Sequence, residues 1–176
     1  MSVLGKTRHL RRLQSSSTEW IDAHNEVREE YHLDYNVTFN PLEWSDFLAD
    51  EAQAEAEDLA LSCNTQRARS GPYGMNVQAT TYPNPSPLTA EESVDNWMRN
   101  YDLGSQEAAQ VVWWATNWVG CGSASSPDCA YDVCFYVTPG NCDMEKYTDW
   151  ETPVYADDSP CNVPEELMEM IAPDLI

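Results

Sequence analysis

Trp118-Val119-Gly120-Cys121-Gly122-Ser123-Ala124 and Ala130-Tyr131-Asp132-Val133-Cys134-Phe135-Tyr136 are two β-prone runs, and Ser125-Ser126-Pro127-Asp128 stands between them with the residues of a turn. The pattern predicts a β-hairpin. With its turn centred between Pro127 and Asp128, Cys121 and Cys134 come directly opposite each other, within the Cα separation that a disulfide tolerates. Gly74-Met75-Asn76-Val77-Gln78-Ala79-Thr80-Thr81 reads as a third strand.

Working outward from the hairpin, the earlier part of the chain is helical. Ser16 and Glu19 stand three apart, the spacing of a capping box, and predict a first helix ending near His32. Trp20, His24, Val27 and Tyr31 recur within it at helical spacing, which predicts an apolar face. A second helix is expected from Ser45 to about Ser62, with Leu48, Ala52, Ala56, Leu59 and Cys63 on one stripe. Thr89 and Glu92 repeat the capping-box spacing and open a third helix that buries Val94, Trp97, Met98 and Tyr101. Pro83, Pro85 and Pro87 make Tyr82 to Leu88 a loop. Short helices are expected from Ser105 to about Trp114 and over Pro164 to Ile171. Helices early, strands late and a strand between helices predict a layered α+β domain.

The 176 residues fit one domain, with 42% hydrophobic residues and seven Trp to build its core. Thirty acidic against 9 basic side chains give a net charge of −21. Lys6, Arg8, Arg11 and Arg12 lie in the first 12 residues, so from residue 13 onward 5 basic residues face 30 acidic ones, a charge of −25. Such a body repels phosphate, which excludes nucleic acid as a partner and leaves cationic or uncharged ligands. Residues 1–17 read as a basic, flexible arm, 18–142 as the folded domain and 143–176 as an acidic extension. Six cysteines, at 63, 121, 129, 134, 142 and 161, point to three disulfides and an extracellular location, because no CxxC pair or His-rich tract suggests zinc instead. No conventional signal peptide is visible in Met1 to Leu13, so either the chain begins downstream of its true start or export is unconventional. No apolar run approaches the length of a membrane helix.

Six short motifs then stand in a telling order: His24-Asn25-Glu26-Val27-Arg28, Pro41-Leu42-Glu43-Trp44, Tyr73-Gly74-Met75-Asn76, Gln110-Val111-Val112-Trp113, Val119-Gly120-Cys121-Gly122, and Cys134-Phe135-Tyr136-Val137-Thr138-Pro139-Gly140-Asn141. Their order and spacing resemble the CAP superfamily of cysteine-rich secretory proteins, venom antigen five and class-one plant pathogenesis-related proteins. The resemblance runs from Trp20 to Asn141 and implies a three-layer α-β-α sandwich, stapled by disulfides, in a secreted protein. It implies Cys63 paired with Cys129 and Cys121 with Cys134, which leaves Cys142 with Cys161.

The family's cleft usually holds two His and two Glu that can gather a divalent metal. In this chain all four are replaced. The resemblance puts Arg69 and Glu107 where the two His stand, and Met75 and Asn100 where the two Glu stand. A guanidinium repels a cation and a thioether is a poor ligand for hard ions, so a degenerate cleft with no metal and no cofactor is expected. Arg69 and Glu107, facing each other across it, are expected to form a salt bridge.

Catalysis has little to work with. Of His9, His24 and His32, only His24 lies in the expected core, where a hydrogen-bonded structural role is expected of it. There is no Gly-x-Ser-x-Gly elbow, and the cysteines are better used as disulfides than as nucleophiles. Trp97, Tyr101, Trp113, Trp114 and Trp118 read as core. Asn36-Val37-Thr38 is a possible glycosylation sequon on a loop. The expected function is a secreted, monomeric, non-enzymatic protein that binds a protein, peptide or cationic surface. The alternative is a lipid carrier, since some CAP proteins resemble carriers of sterol or fatty acid. Only Asp102 to Gln106 leads into the Gln110 helix, which curtails the loop that sterol would use, while a fatty acid between helices stays open. A hydrolase is the third reading.

Overall fold

The computed structural model describes residues 15–67, 72–81, 83–99, 105–140 and 164–171. The basic arm up to residue 14, Arg69, Asn100, Tyr101, Cys142, Cys161 and most of the acidic extension lie outside the described residues, as do Asp102, Leu103 and Gly104.

In chain order the elements are α1 (Ser17–Asp34), β1 (Glu43–Trp44), α2 (Asp46–Ser62), a 3-10 turn (Thr65–Arg67), β2 (Gly74–Thr81), α3 (Ala90–Met98), α4 (Gln106–Val112), β3 (Trp118–Ser125), β4 (Cys129–Val137) and α5 (Glu165–Ile171). Both capping boxes form where their spacing placed them. The Ser16 N–H donates to Glu19 Oε2 at 2.6 Å, the Thr89 N–H donates to Glu92 Oε2 at 2.8 Å, and each hydroxyl accepts the return bond. Ser45 and Ser105 cap α2 and α4 through single bonds to Leu48 N and Ala108 N.

The sheet order is β1-β3-β4-β2, with β3–β4 and β4–β2 antiparallel and β1 parallel to β3. The hairpin has the expected register, Cys121 opposite Cys134, and these two form a disulfide with Cα atoms 4.1 Å apart. Cys63 pairs with Cys129, as the resemblance implies. The third pairing, Cys142 with Cys161, falls outside the described residues. Strand β1 was not foreseen. Two residues are too few to show a period, and β1 exists because the Glu43 and Ser45 N–H groups donate to the carbonyls of Asn117 and Val119.

Helix α2 covers one face of the sheet with Leu48, Ala52, Ala56 and Leu59 against Tyr131, Val133, Phe135 and Val137, and α5 adds Leu167 and Ile171. Helices α1, α3 and α4 cover the other with Trp20, Val94, Trp97, Val111 and Val112 against Val119 and Tyr136. Central β4 is therefore buried along its whole length. Helix α2 lies so close to β3 that a Cβ on Gly120 or Gly122 would overlap helix backbone at Leu48 and Ala49 or at Ala52 and Gln53. The Gln53 side chain locks this contact by accepting from Ser123 N at 3.0 Å and donating to Ser123 O at 3.2 Å.

One expectation for α1 needs correction. Its fully buried stripe is Trp20, His24, Arg28 and His32, whereas Val27 and Tyr31 are only half-buried beside it. The helix also runs two residues past His32, to Asp34.

Candidate functional site

Of the four positions that the resemblance sets against the family's metal ligands, Met75 and Glu107 are described. Met75, on β2, packs half-buried on the α2 side of the sheet with Tyr73 and Val77. Asn76, next along the strand, faces the other way, and its Nδ2 donates to the Glu107 carbonyl at 2.9 Å. Glu107 sits in the first turn of α4 with an exposed side chain, where Oε2 accepts from Ser105 Oγ at 2.8 Å. The Met75 thioether and the Glu107 carboxylate thus belong to different faces of the structure. Arg69 and Asn100 lie outside the described residues, so the expected Arg69–Glu107 bridge does too. Among the described residues no three His, Cys, Asp or Glu side chains gather in a group that could hold a metal. As a donor set, the pair present fits a divalent metal poorly, with one soft thioether and one carboxylate turned to its own helix cap.

A cluster of ionisable side chains is instead buried beneath α1. His24, Arg28 and His32 are each 0% exposed. His24 Nδ1–H donates to the Trp20 carbonyl at 2.7 Å, and its Nε2 accepts from Tyr136 Oη at 2.9 Å. Asn76 Nδ2 in turn lies 3.4 Å from that hydroxyl. His32 donates from Nε2 to the Val112 carbonyl at 3.0 Å and accepts the Asn40 N–H at Nδ1. Both rings are thus neutral and bonded at both nitrogens. Burial, with the Arg28 charge nearby, pushes each down to about 4. Arg28 makes five bonds to carbonyl oxygens: Nε and Nη2 to Asn40, Nη1 to Val111 and Trp113, and Nη2 to Thr116. Burial lowers its affinity for the proton, while the four carbonyl dipoles that accept its bonds favour the cation. The same burial raises Tyr136 well above the usual phenol value. This cluster fastens α1 to the C-terminal end of α4 and to the segment before β3. Sequence reading found only His24, although the i, i+4, i+8 spacing of His24, Arg28 and His32 carried the signal.

The surface of the described residues carries hollows beside α1 and α3. A groove of about 320 Å³ is lined by Ser17, Thr18, Ile21, Leu42, Glu43 and Trp44, between the start of α1 and the β1 edge. A second, of about 230 Å³, lies beside α3 between Leu88, Glu92, Asp95, Asn96 and Arg99. The first was not legible in the sequence, because it joins segments more than twenty residues apart in the chain, whereas the second is local to α3 and the loop that precedes it. Of the expected core aromatics, Trp97 and Trp113 are buried, whereas Trp114 and Trp118 are half-buried. Trp114 Nε1 donates to the Thr38 carbonyl. Asn36 of the sequon is exposed at a turn, with φ 59°.

Comparison with known proteins places these features in a family context. Residues 21–138 match the model of the cysteine-rich secretory protein family, CAP. Pathogenesis-related protein 1A of Nicotiana tabacum is 33% identical over 146 residues, covering 76% of this chain and 81% of that protein. Cysteine-rich venom protein helothermine of Heloderma horridum horridum is 28% identical over 149 residues, covering 74% of this chain and 60% of that protein. Among solved structures, BmVAL-1 superposes with a TM-score of 0.59 at 18% identity, covering 82% of this chain and 83% of that one. MpPR-1i superposes with a TM-score of 0.53 at 23% identity, covering 69% and 90%.

Proposed function

We propose, from the premise that the chain belongs to the cysteine-rich secretory protein (CAP) family, that it is a secreted binding protein without catalytic chemistry of its own, whose acidic body takes a basic protein segment. The observation that carries the reading is the state of the imidazoles. Both described histidines are fully buried with both ring nitrogens bonded, so neither is placed to act as a general base or to meet a metal. Met75 and Glu107, on different faces, support a cleft that no longer binds metal. The net charge of −21 supports a cationic partner, and the two disulfides support an oxidising compartment outside the cell.

Isothermal titration of the full chain tests this. A lysine-rich peptide should bind saturably and more weakly as salt rises, and zinc should show no one-to-one site. A stoichiometric zinc site that disappears in Glu107→Ala would overturn the reading, as would a fatty acid found bound to the purified protein by native mass spectrometry.

A further inference from the structure

The edge of the sheet at β1 ends in an unfinished pairing. Asn25 of α1 clamps Leu42 as another strand would: its Oδ1 accepts the Leu42 N–H at 2.7 Å and its Nδ2 donates to the Leu42 carbonyl at 3.1 Å. Two residues on, the pattern should repeat, because alternate residues of a strand turn their backbone groups to the same side. Glu43 and Ser45 direct their N–H groups to β3, so the N–H and C=O of Trp44 point away from it, toward α1. Among the described residues, none does for Trp44 what Asn25 does for Leu42. The chain leaves a groove instead, with Ile21, Leu42 and Trp44 as its apolar walls.

We propose that this groove docks an extended basic segment of a partner protein, which pairs its backbone with Trp44, lays one apolar side chain against Ile21 and Trp44, and sets its cations on the acidic rim. The rim supplies the charge argument. The Glu43 side chain is exposed with no partner among the described residues. Asp46 Oδ1 already orients the Trp44 indole through a 3.0 Å bond. Asp22 is exposed one helical turn beyond Thr18 of the groove. A second copy of the chain is a poor occupant, since it would bring another −21 charges to the same edge. The inference rests on the binding role proposed above and adds to it a place and a mode.

The test separates the two. A labelled acetyl-Arg-Leu-Arg-Leu-Arg amide is titrated with the full chain and with two charge reversals, Glu43→Lys at the groove and Asp58→Lys on the exposed outer side of α2. Both variants change the net charge equally, so a non-specific field would weaken both equally. The groove predicts a loss of roughly tenfold in affinity for Glu43→Lys and under about twofold for Asp58→Lys at physiological salt. It also predicts that N-methylation of the leucines, which removes backbone donors, weakens binding. Peptide addition should shift the Trp44 indole N–H resonance. Equal losses in the two variants, with the peptide still binding, would overturn the groove and leave the binding role standing. Failure of the wild type to bind the peptide even at low salt would overturn both. Binding of the Glu-Leu-Glu-Leu-Glu analogue, or of a fatty acid, at this edge in place of the basic peptide would overturn the choice of occupant.

Discussion

Acidification should loosen the α1 layer through its two buried histidines. In the folded protein His24 and His32 are pushed down to about 4, chiefly by burial, whereas in the unfolded chain a histidine titrates near 6.5. Between those values the unfolded state binds protons that the folded state does not, so stability is full above pH 6.5 and falls as pH drops toward 4. The difference of about 2.5 units corresponds to about 3 kcal/mol for His24 at most, and to less for His32, whose Nδ1 faces the half-buried Asn40. A loss of roughly 3–6 kcal/mol is a large part of the ~5–15 kcal/mol by which domains are stable. Protonation would also place a second and third positive charge beside Arg28 on one buried stripe, and it would turn His24 Nε2 from an acceptor of the Tyr136 hydroxyl into a donor.

The acidic surface works in the opposite direction. As carboxylates protonate toward the sequence pI of about 4.1, self-repulsion falls and the folded state gains. Salt separates the two effects, because exposed charges are screened over about 3 Å at 1 M salt while the buried rings are not. Urea unfolding followed by tryptophan fluorescence in high salt should therefore show ΔG rising by several kcal/mol between pH 4 and 6.5. His24→Asn should flatten the slope by about half. A ΔG that is level across that window in high salt, or a slope unchanged in His24→Asn together with His32→Asn, would refute the assignment of neutral buried rings.

Other outcomes follow from the packing. Arg28→Lys replaces a planar fork that reaches four carbonyls with a point charge of three donors, and it should cost about 2–4 kcal/mol in urea unfolding; a loss below 1 kcal/mol would contradict the five-bond arrangement. Gly122→Ala forces a methyl into the Gln53 backbone, so the melting temperature should drop by several degrees, for about 1–3 kcal/mol of strain. Replacing Cys121 and Cys134 together by Ala should remove about 3 kcal/mol of loop-closure stabilisation, and peptide mapping without reduction should recover Cys63–Cys129, Cys121–Cys134 and a third bridge between Cys142 and Cys161. Because the Glu107 carboxylate is exposed, any coupling between Arg69→Met and Glu107→Gln in a double-mutant cycle should be at most about 1 kcal/mol.

What could be foreseen from the sequence follows the range of the interaction concerned. Both capping boxes and the hairpin register were legible because the chemistry is local: Ser16 and Thr89 find their partners three residues away, and the Pro127-Asp128 turn sets Cys121 against Cys134. The inner stripe of α1 was misread because its polar members are satisfied at long range. Arg28 and His32 find the carbonyls of Val111, Val112, Trp113 and Thr116 at least 80 residues further on, and no periodicity of α1 alone announces them. A buried guanidinium with no carboxylate would be costly without those acceptors, so the end of α4 and the loop before β3 have to present bare carbonyls to it. That requirement ties α1 to the same α4 whose first turn carries Glu107. Motif spacing assigned Met75 and Glu107 to one cleft, yet strand parity decides which side chain faces α4, and it selects Asn76. The polar contact between β2 and α4 at this point thus runs from the Asn76 carboxamide to the Glu107 backbone carbonyl, a bond that keeps the strand against the helix whether or not position 75 carries a metal ligand.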